Sequence, residues 1–132
     1  MELQDRIDVA DTLHRSGQNC AQCVLQAFDD ITGLEPAVAS AVTACMGRGL
    51  CGNGLTCGAL LGAMAVLGTR TGGSFDVKKK AMQRGAAFVS EFKNANGAVQ
   101  CAELRVPGGK PCHEIILDTV RDLHNYIAAD EV

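Results

Sequence analysis

The sequence predicts an all-α protein, a compact bundle of five to six helices around a central apolar helix. Three observations carry this expectation. Apolar residues recur at helical spacing along nearly the whole chain, no stretch alternates with the period of a strand, and Gly, Pro and Asn punctuate the chain at helix-length intervals. The chain has 132 residues, which suits a single cysteine-rich helical domain over 1–132, large enough to bury an ordinary core without disulfide staples. Apolar residues make up 47% and charged residues 20%, a globular balance. With 15 Gly, one Tyr and no Trp, the interior is expected to hold closely packed helices.

The first stripe, Leu3, Ile7, Ala10 and Leu13, stops near Ser16-Gly17. Asn19 can cap a second helix with Ala21, Val24, Leu25, Phe28 and Ile31 on one face, ending at Gly33. A third begins near Glu35-Pro36, with Pro at an early helical position, and is expected to bury Val38, Ala41, Val42 and Cys45. The glycine-rich stretch 46–55 is a loop whose backbone can take positive φ or approach another group closely. Thr56 is expected to cap a fourth helix, Cys57 to Leu67, apolar nearly all round and therefore central. Gly58 and Gly62, four apart, would let a neighbouring helix pack tightly there, by analogy with small-residue packing in membranes. After the turn at Thr71-Gly72-Gly73-Ser74, a long helix runs to about Asn94 with Met82, Gly85, Phe88, Val89 and Phe92 inward. A short segment from Cys101 to Leu104 precedes the turn Pro107 to Pro111. The last helix starts near Cys112 and buries Ile116, Val120, Leu123 and Ile127.

Charge and hydropathy exclude several functions. The net charge of −3 and pI near 5.5 argue against nucleic acid or an anionic membrane as main partner. Lys78-Lys79-Lys80, the only basic run, fits a solvated helix face. The longest apolar stretch, Ala59 to Leu67, is far short of the ~20 residues of a membrane span. The N-terminus shows no targeting signal. These features lead to the expectation of a cytoplasmic protein, where thiols are normally reduced, so the cysteines fit catalytic, redox or metal-binding work better than permanent staples.

Seven cysteines are the chemical signal. Cys20, Cys57, Cys101 and Cys112 each open a segment that begins as a helix start or a turn. A thiol at a helix N-terminus meets unpaired N–H groups and the positive end of the dipole, which favours the thiolate. Cys112 shares a face with Ile116, Val120 and Leu123. Cys20 lies at the edge of an apolar face, Cys57 opens the central helix, and Cys101 sits in a turn able to join them. Cys57 is the preferred nucleophile, although burial there opposes the helix end. Cys45 is expected in the core as a small hydrophobe, and Cys51 is a loop thiol of open role. Cys23 completes a CxxC with Cys20 but faces away from the apolar stripe and is read as incidental. No βαβ pattern supports a thioredoxin reading, and Val24 stands where c-type haem attachment requires His.

The histidines add little at this level. His113 adjoins Cys112, yet neighbouring side chains on a helix diverge by about 100°. His14 and His124, among charged residues, are expected at the surface. No Walker loop, dinucleotide fingerprint, serine triad or carboxylate–histidine metal motif occurs.

Cys20 within Gly17-Gln18-Asn19-Cys20-Ala21-Gln22, the segment Gly54-Leu55-Thr56-Cys57-Gly58-Ala59-Leu60-Leu61-Gly62, and then Cys101 and Cys112 resemble the redox-active protein family labelled C_GCAxxG_C_C. The label writes Gly before Cys, whereas this chain has Cys57-Gly58-Ala59. The resemblance covers nearly the whole chain and implies that its characteristic cysteines are Cys20, Cys57, Cys101 and Cys112, with Cys23, Cys45 and Cys51 as additions. Related domains fused to electron-transfer cytochromes lean the resemblance toward redox work.

Three functions stay open on these residues. The first is dithiol–disulfide chemistry or electron transfer centred on the four cysteines, as in a thiol–disulfide oxidoreductase with an unidentified redox partner. The second is a metal protein in which the same four thiolates, Cys20, Cys57, Cys101 and Cys112, hold zinc or an iron–sulfur cluster. The third is a helical binding or assembly module, such as a homodimer, with structural cysteines and no cofactor.

Overall fold

The structure, a computed structural model, describes residues 1–130. Among them are eight α-helices and one 3-10 turn, with no strand, so the all-α expectation is met. The helices are α1 (Leu3–Arg15), α2 (Cys20–Gln26), α3 (Asp29–Thr32), α4 (Pro36–Val42), α5 (Gly58–Thr71), α6 (Phe75–Asn96), α7 (Cys101–Leu104) and α8 (Cys112–Asp130). The 3-10 turn, Ala44–Met46, lies between α4 and the glycine-rich loop. The number exceeds the expected five to six because the second predicted helix is divided and the segment after Cys101 makes a helical turn of its own.

Helix α5 is the centre, as its apolar circumference requires. It packs against α2, α6, α8 and α3, and Ala59, Leu60, Ala63, Val66 and Leu67 are buried. Around it Phe28, Phe88, Leu25, Ile116 and Leu123 are the largest fully enclosed side chains, each contributing roughly 1.5–3 kcal/mol by leaving water. The glycines of α5 set its distance from α2. A Cβ at Gly62 would lie 2.8 Å from the Ala21 carbonyl oxygen, so only the bare backbone permits this approach. The close packing expected at Gly58 and Gly62 is therefore present, with α2 as the partner.

A buried arginine explains the division between α2 and α3. Arg6, 4% exposed, donates to the Ala27 carbonyl oxygen at 2.9 Å and to both carboxylate oxygens of Asp30, at 2.6 and 3.1 Å. Its plane lies over the Phe28 ring, 4.4 Å from the centroid. The Ala27 carbonyl is thus taken by a side chain, and the N–H of Ile31 turns to Phe28 instead. A group inserted into the helical ladder bends or breaks it. The chain then leaves α3 through Gly33 in the left-handed conformation.

Several expectations need correction. In α4 the inward positions are Ala39 and, just past the helix, Thr43; Val38, Ala41, Val42 and Cys45 are exposed. Thr43 tolerates burial because its hydroxyl donates to the Ala39 carbonyl at 2.6 Å. Cys23, expected to face away, is fully enclosed, because α2 is buried on nearly every side. Met82 is 66% exposed rather than inward. The cap of α5 is Cys57, not Thr56; Thr56 instead forms an isolated antiparallel bridge with Gln100. His14 and His124 are half-buried and bonded, not free at the surface. The faces expected for α1 and α8 stand, with Ala10, Ile116, Val120, Leu123 and Ile127 buried. Among the described residues no helix is long and apolar enough to cross a membrane.

Candidate functional site: a four-cysteine cavity

Four pieces of local structure bring distant cysteines together. Cys20 is the first residue of α2, fixed by a reciprocal cap. The Asn19 side chain accepts from the Gln22 N–H at 2.9 Å, and the Gln22 side chain accepts from the Asn19 N–H at 2.8 Å. The remaining amide hydrogens of this pair reach outward. Asn19 donates to the Thr43 and Ala44 carbonyls, and Gln22 donates to the Ser40 carbonyl. The start of α2 is thereby tied to the end of α4, and the Cys20 thiol is held at the opening of the glycine-rich loop.

Cys57 and Cys101 are joined by backbone. The Cys57 N–H donates to the Val99 carbonyl at 2.8 Å, and the Cys101 N–H donates to the Leu55 carbonyl at 2.6 Å. These bonds flank the Thr56–Gln100 bridge. The residue before α5 and the residue opening α7 therefore sit side by side, although far apart in sequence. Cys112 opens α8 and closes the ring.

Cys20, Cys57, Cys101 and Cys112 line one cavity with Arg48, Leu104, Arg105 and Ile115. The enclosed space is about 20 Å³, close to the room one water needs. Cys57 and Cys101 are buried, whereas Cys20 and Cys112 are half-buried. The latter two also line a larger outer cavity with His14, Asn19, Arg48 and Arg105. The site thus has depth, with two thiols at the mouth and two behind. All seven cysteines are free thiols in this structure.

Electrostatics at the site oppose the simplest reading of a thiol at a helix start. Burial pushes the Cys57 thiol up to about 11, and the Cys20 and Cys101 sulfurs add to this. The backbone N–H groups of Ala59 and Leu60 pull the other way but do not win. Desolvation outweighs a helix terminus here because it acts on the whole charge, while the terminal dipole is only a partial one. Cys112 is also raised, first by burial and then by Cys20 and Cys101; Arg105 and Arg48 hold it down. The two arginines in the cavity lining carry no sequence signal. Arg48 stands in the glycine loop and Arg105 one helical turn after Cys101, positions that carry no motif.

A second group missed in the sequence flanks the mouth. His14 and His113 face each other with their Nδ1 atoms 2.7 Å apart, and His113 Nε2 is 2.9 Å from an Asp11 carboxylate oxygen. Asp11 is itself held by Arg15 at 3.0–3.1 Å. At most one hydrogen can lie between the two Nδ1 atoms, so burial and the His113 charge hold His14 below its ordinary pKa. His113 therefore pairs with histidine and aspartate and not with its neighbour Cys112.

The remaining cysteines separate. Cys23 is enclosed behind α2, its thiol donating to the Gln18 carbonyl at 3.7 Å, and burial pushes it up to about 12. Cys45, in the 3-10 turn, and Cys51, in the glycine-rich loop, lie exposed. Zinc or an iron–sulfur cluster would require convergent thiolates. Among the described residues, no three His, Cys, Asp or Glu side chains gather as a metal-ligand set.

Comparison with known proteins identifies a family. No curated protein and no solved structure is similar to the chain. Residues 18–126 match the family described as "Putative redox-active protein (C_GCAxxG_C_C)", a span that includes all four cavity cysteines. The chain belongs to the C_GCAxxG_C_C family.

Proposed function

We propose that this chain is a thiol–disulfide redox protein whose reaction runs in the four-cysteine cavity. One observation carries the reading: Cys20, Cys57, Cys101 and Cys112, remote in sequence, line a single pocket with two arginines. Burial raises the Cys112 thiol, but the Arg105 and Arg48 charges beside it hold that rise in check, and the thiolate is the attacking species in exchange. Since Cys57 is buried and raised to about 11, first attack passes from Cys57 to the mouth thiols, Cys112 or Cys20.

The step balances as ordinary exchange. A mouth thiolate attacks one sulfur of a partner disulfide, breaking its S–S bond and releasing one partner thiol. Cys57 or Cys101 then attacks the mixed disulfide from behind, releasing the second. Two cavity thiols are oxidised, one partner disulfide is reduced, and the two protons lost by the cysteines end on the partner's sulfurs. The reverse reaction reduces the cavity. The partner is a dithiol or disulfide protein in the cytoplasm, where such pairs are kept poised.

Equilibration in dithiol–disulfide buffers tests this, with free thiols counted by alkylation and mass at each potential. A cavity pair should be lost in one two-electron transition, abolished in the double variant C20S/C112S, which lacks both mouth thiols, provided it keeps its helical circular dichroism. Retention of all four cavity thiols from about −300 to about −120 mV, a window that spans the known dithiol oxidoreductases, would overturn it.

A further inference from the structure

The 3-10 turn and the glycine-rich loop after it carry a second pair of thiols that the cavity does not use. After the 3-10 turn the chain curls back on itself, and the Cys51 N–H donates to the Cys45 carbonyl at 3.0 Å. The Cys51 thiol donates to the same oxygen at 3.3 Å. Standard backbone dimensions then keep the two Cα atoms within roughly 7 Å, the span a disulfide can bridge. Both residues are exposed.

Their surroundings show that this closeness is imposed. Arg48, Leu50 and Cys51 all have φ between 51 and 65°, a left-handed conformation that costs a non-glycine residue roughly 1–2 kcal/mol. Further bonds hold the curl: the N–H groups of Gly52, Gly54 and Leu55 donate to the carbonyls of Gly47, Arg48 and Gly49. The Cys45 thiol beside Cys51 pushes the latter's pKa up, first through the hydrogen bond between them and then through charge.

We propose that Cys45 and Cys51 form a second redox dithiol, at the surface, that exchanges with low-molecular-weight disulfides. Either thiolate attacks one sulfur of the small disulfide, whose S–S bond breaks and releases one small thiol. The other cysteine attacks the mixed disulfide on the protein and releases the second small thiol. The protein loses two electrons and two protons, and the small disulfide gains them. The pair stands apart from the cavity reaction, since neither sulfur lines that pocket.

The test uses the full chain and glutathione disulfide, with alkylation and peptide mass mapping. The wild-type chain should lose both thiols together and give a Cys45–Cys51 bond, resolved by fragmentation because trypsin cuts after Arg48 between them. C45S and C51S should each keep a long-lived glutathione adduct on the remaining cysteine, released at least tenfold more slowly than in wild type. These sites are exposed, so helical circular dichroism should be unchanged. Stable adducts on both cysteines of the wild-type chain, or Cys45 and Cys51 recovered as free thiols, would sink the proposal. Because mapping reports each cysteine separately, the outcome is independent of what happens at Cys20, Cys57, Cys101 and Cys112.

Discussion

Gly58 lies so close to Cys20 that a Cβ on residue 58 would stand 2.9 Å from the Cys20 sulfur and 2.8 Å from the Met46 carbonyl oxygen. The glycine after Cys57 therefore sets how near the α2 thiol comes to the α5 thiol. Gly68, on the same helix, has nothing within 4 Å of such a Cβ. The two positions should respond with opposite sign. Gly58→Ala should destabilise the chain by about 1–3 kcal/mol, the range for overpacking against fixed atoms. Gly68→Ala should be neutral or stabilise it by up to about 1 kcal/mol from helix propensity. Urea midpoints at constant slope would measure both, and equal effects would refute the close-approach account.

Thiol reactivity should follow depth. Cys45 and Cys51 should alkylate first, the half-buried Cys20 and Cys112 next, and the buried Cys57, Cys101 and Cys23 last. Timed quenching at pH 8 with mass mapping gives the order. Fast labelling of Cys23 in the folded chain would contradict its enclosure.

Alkaline stability follows from the raised thiols. Cys23 is pushed up to about 12 and Cys57 to about 11, while a thiol in the unfolded chain titrates near 8.5. Above about pH 8.5 the unfolded state loses these protons first, so the contribution present at lower pH is lost as pH rises toward the folded values. Unfolding free energy should fall between about pH 9 and pH 11. Cys23→Ala should flatten that slope, measured by urea titration at each pH.

At the acid end, Arg6 holds the Asp30 carboxyl below its ordinary pKa, through its hydrogen bonds first and its charge next. Stability from this pair is present above about pH 4, the unfolded value, and is lost as pH falls through the lower folded one. Asp30→Asn should cost about 1–2 kcal/mol at pH 7, less than a charged hydrogen-bond pair can give, because Asp30 is 36% exposed and screened. It should also reduce the acid dependence below pH 4. An unchanged melting temperature at pH 7 would count against the pair.

His14 predicts a milder slope at intermediate pH. Its folded pKa is lowered by burial and by His113, so protonation favours the unfolded chain as pH falls below about 6.5. Thermal melting temperature should decline from pH 7 to pH 5.5 in the wild-type chain and decline less in His14→Phe. Identical profiles would remove His14 as the titrating group.

The buried faces of the long amphipathic helices were legible, with Met82 of α6 the exception. In α8 the stripe Ile116, Val120, Leu123 and Ile127 is the buried face, because nineteen residues repeat the period often enough to fix its phase. In α4, with seven residues, the phase is not fixed. The apolar stripe through Val38 and Val42 lost to Ala39 and Thr43, since Thr43 satisfies its own hydroxyl on the Ala39 carbonyl. Cys45 moved outward with that rotation. Cys23 moved inward for a different reason: α2 is surrounded, so its wheel has almost no outer side.

The sequence by itself determined the helical class, the central place of α5, and which four cysteines belong to the family pattern, through periodicity, apolar circumference and the family motif. Only the tertiary structure decided that these four share a cavity, that Cys57 and Cys101 lie behind Cys20 and Cys112, and that Arg48 and Arg105 join them. It also decided that Cys45 meets Cys51. Periodicity is a local property of neighbouring residues along a helix. Convergence instead depends on long-range backbone pairing, such as the bonds around Thr56 and Gln100, and on where glycines let helices approach. Desolvation, which overrides the helix end at Cys57, exists only once that packing is complete.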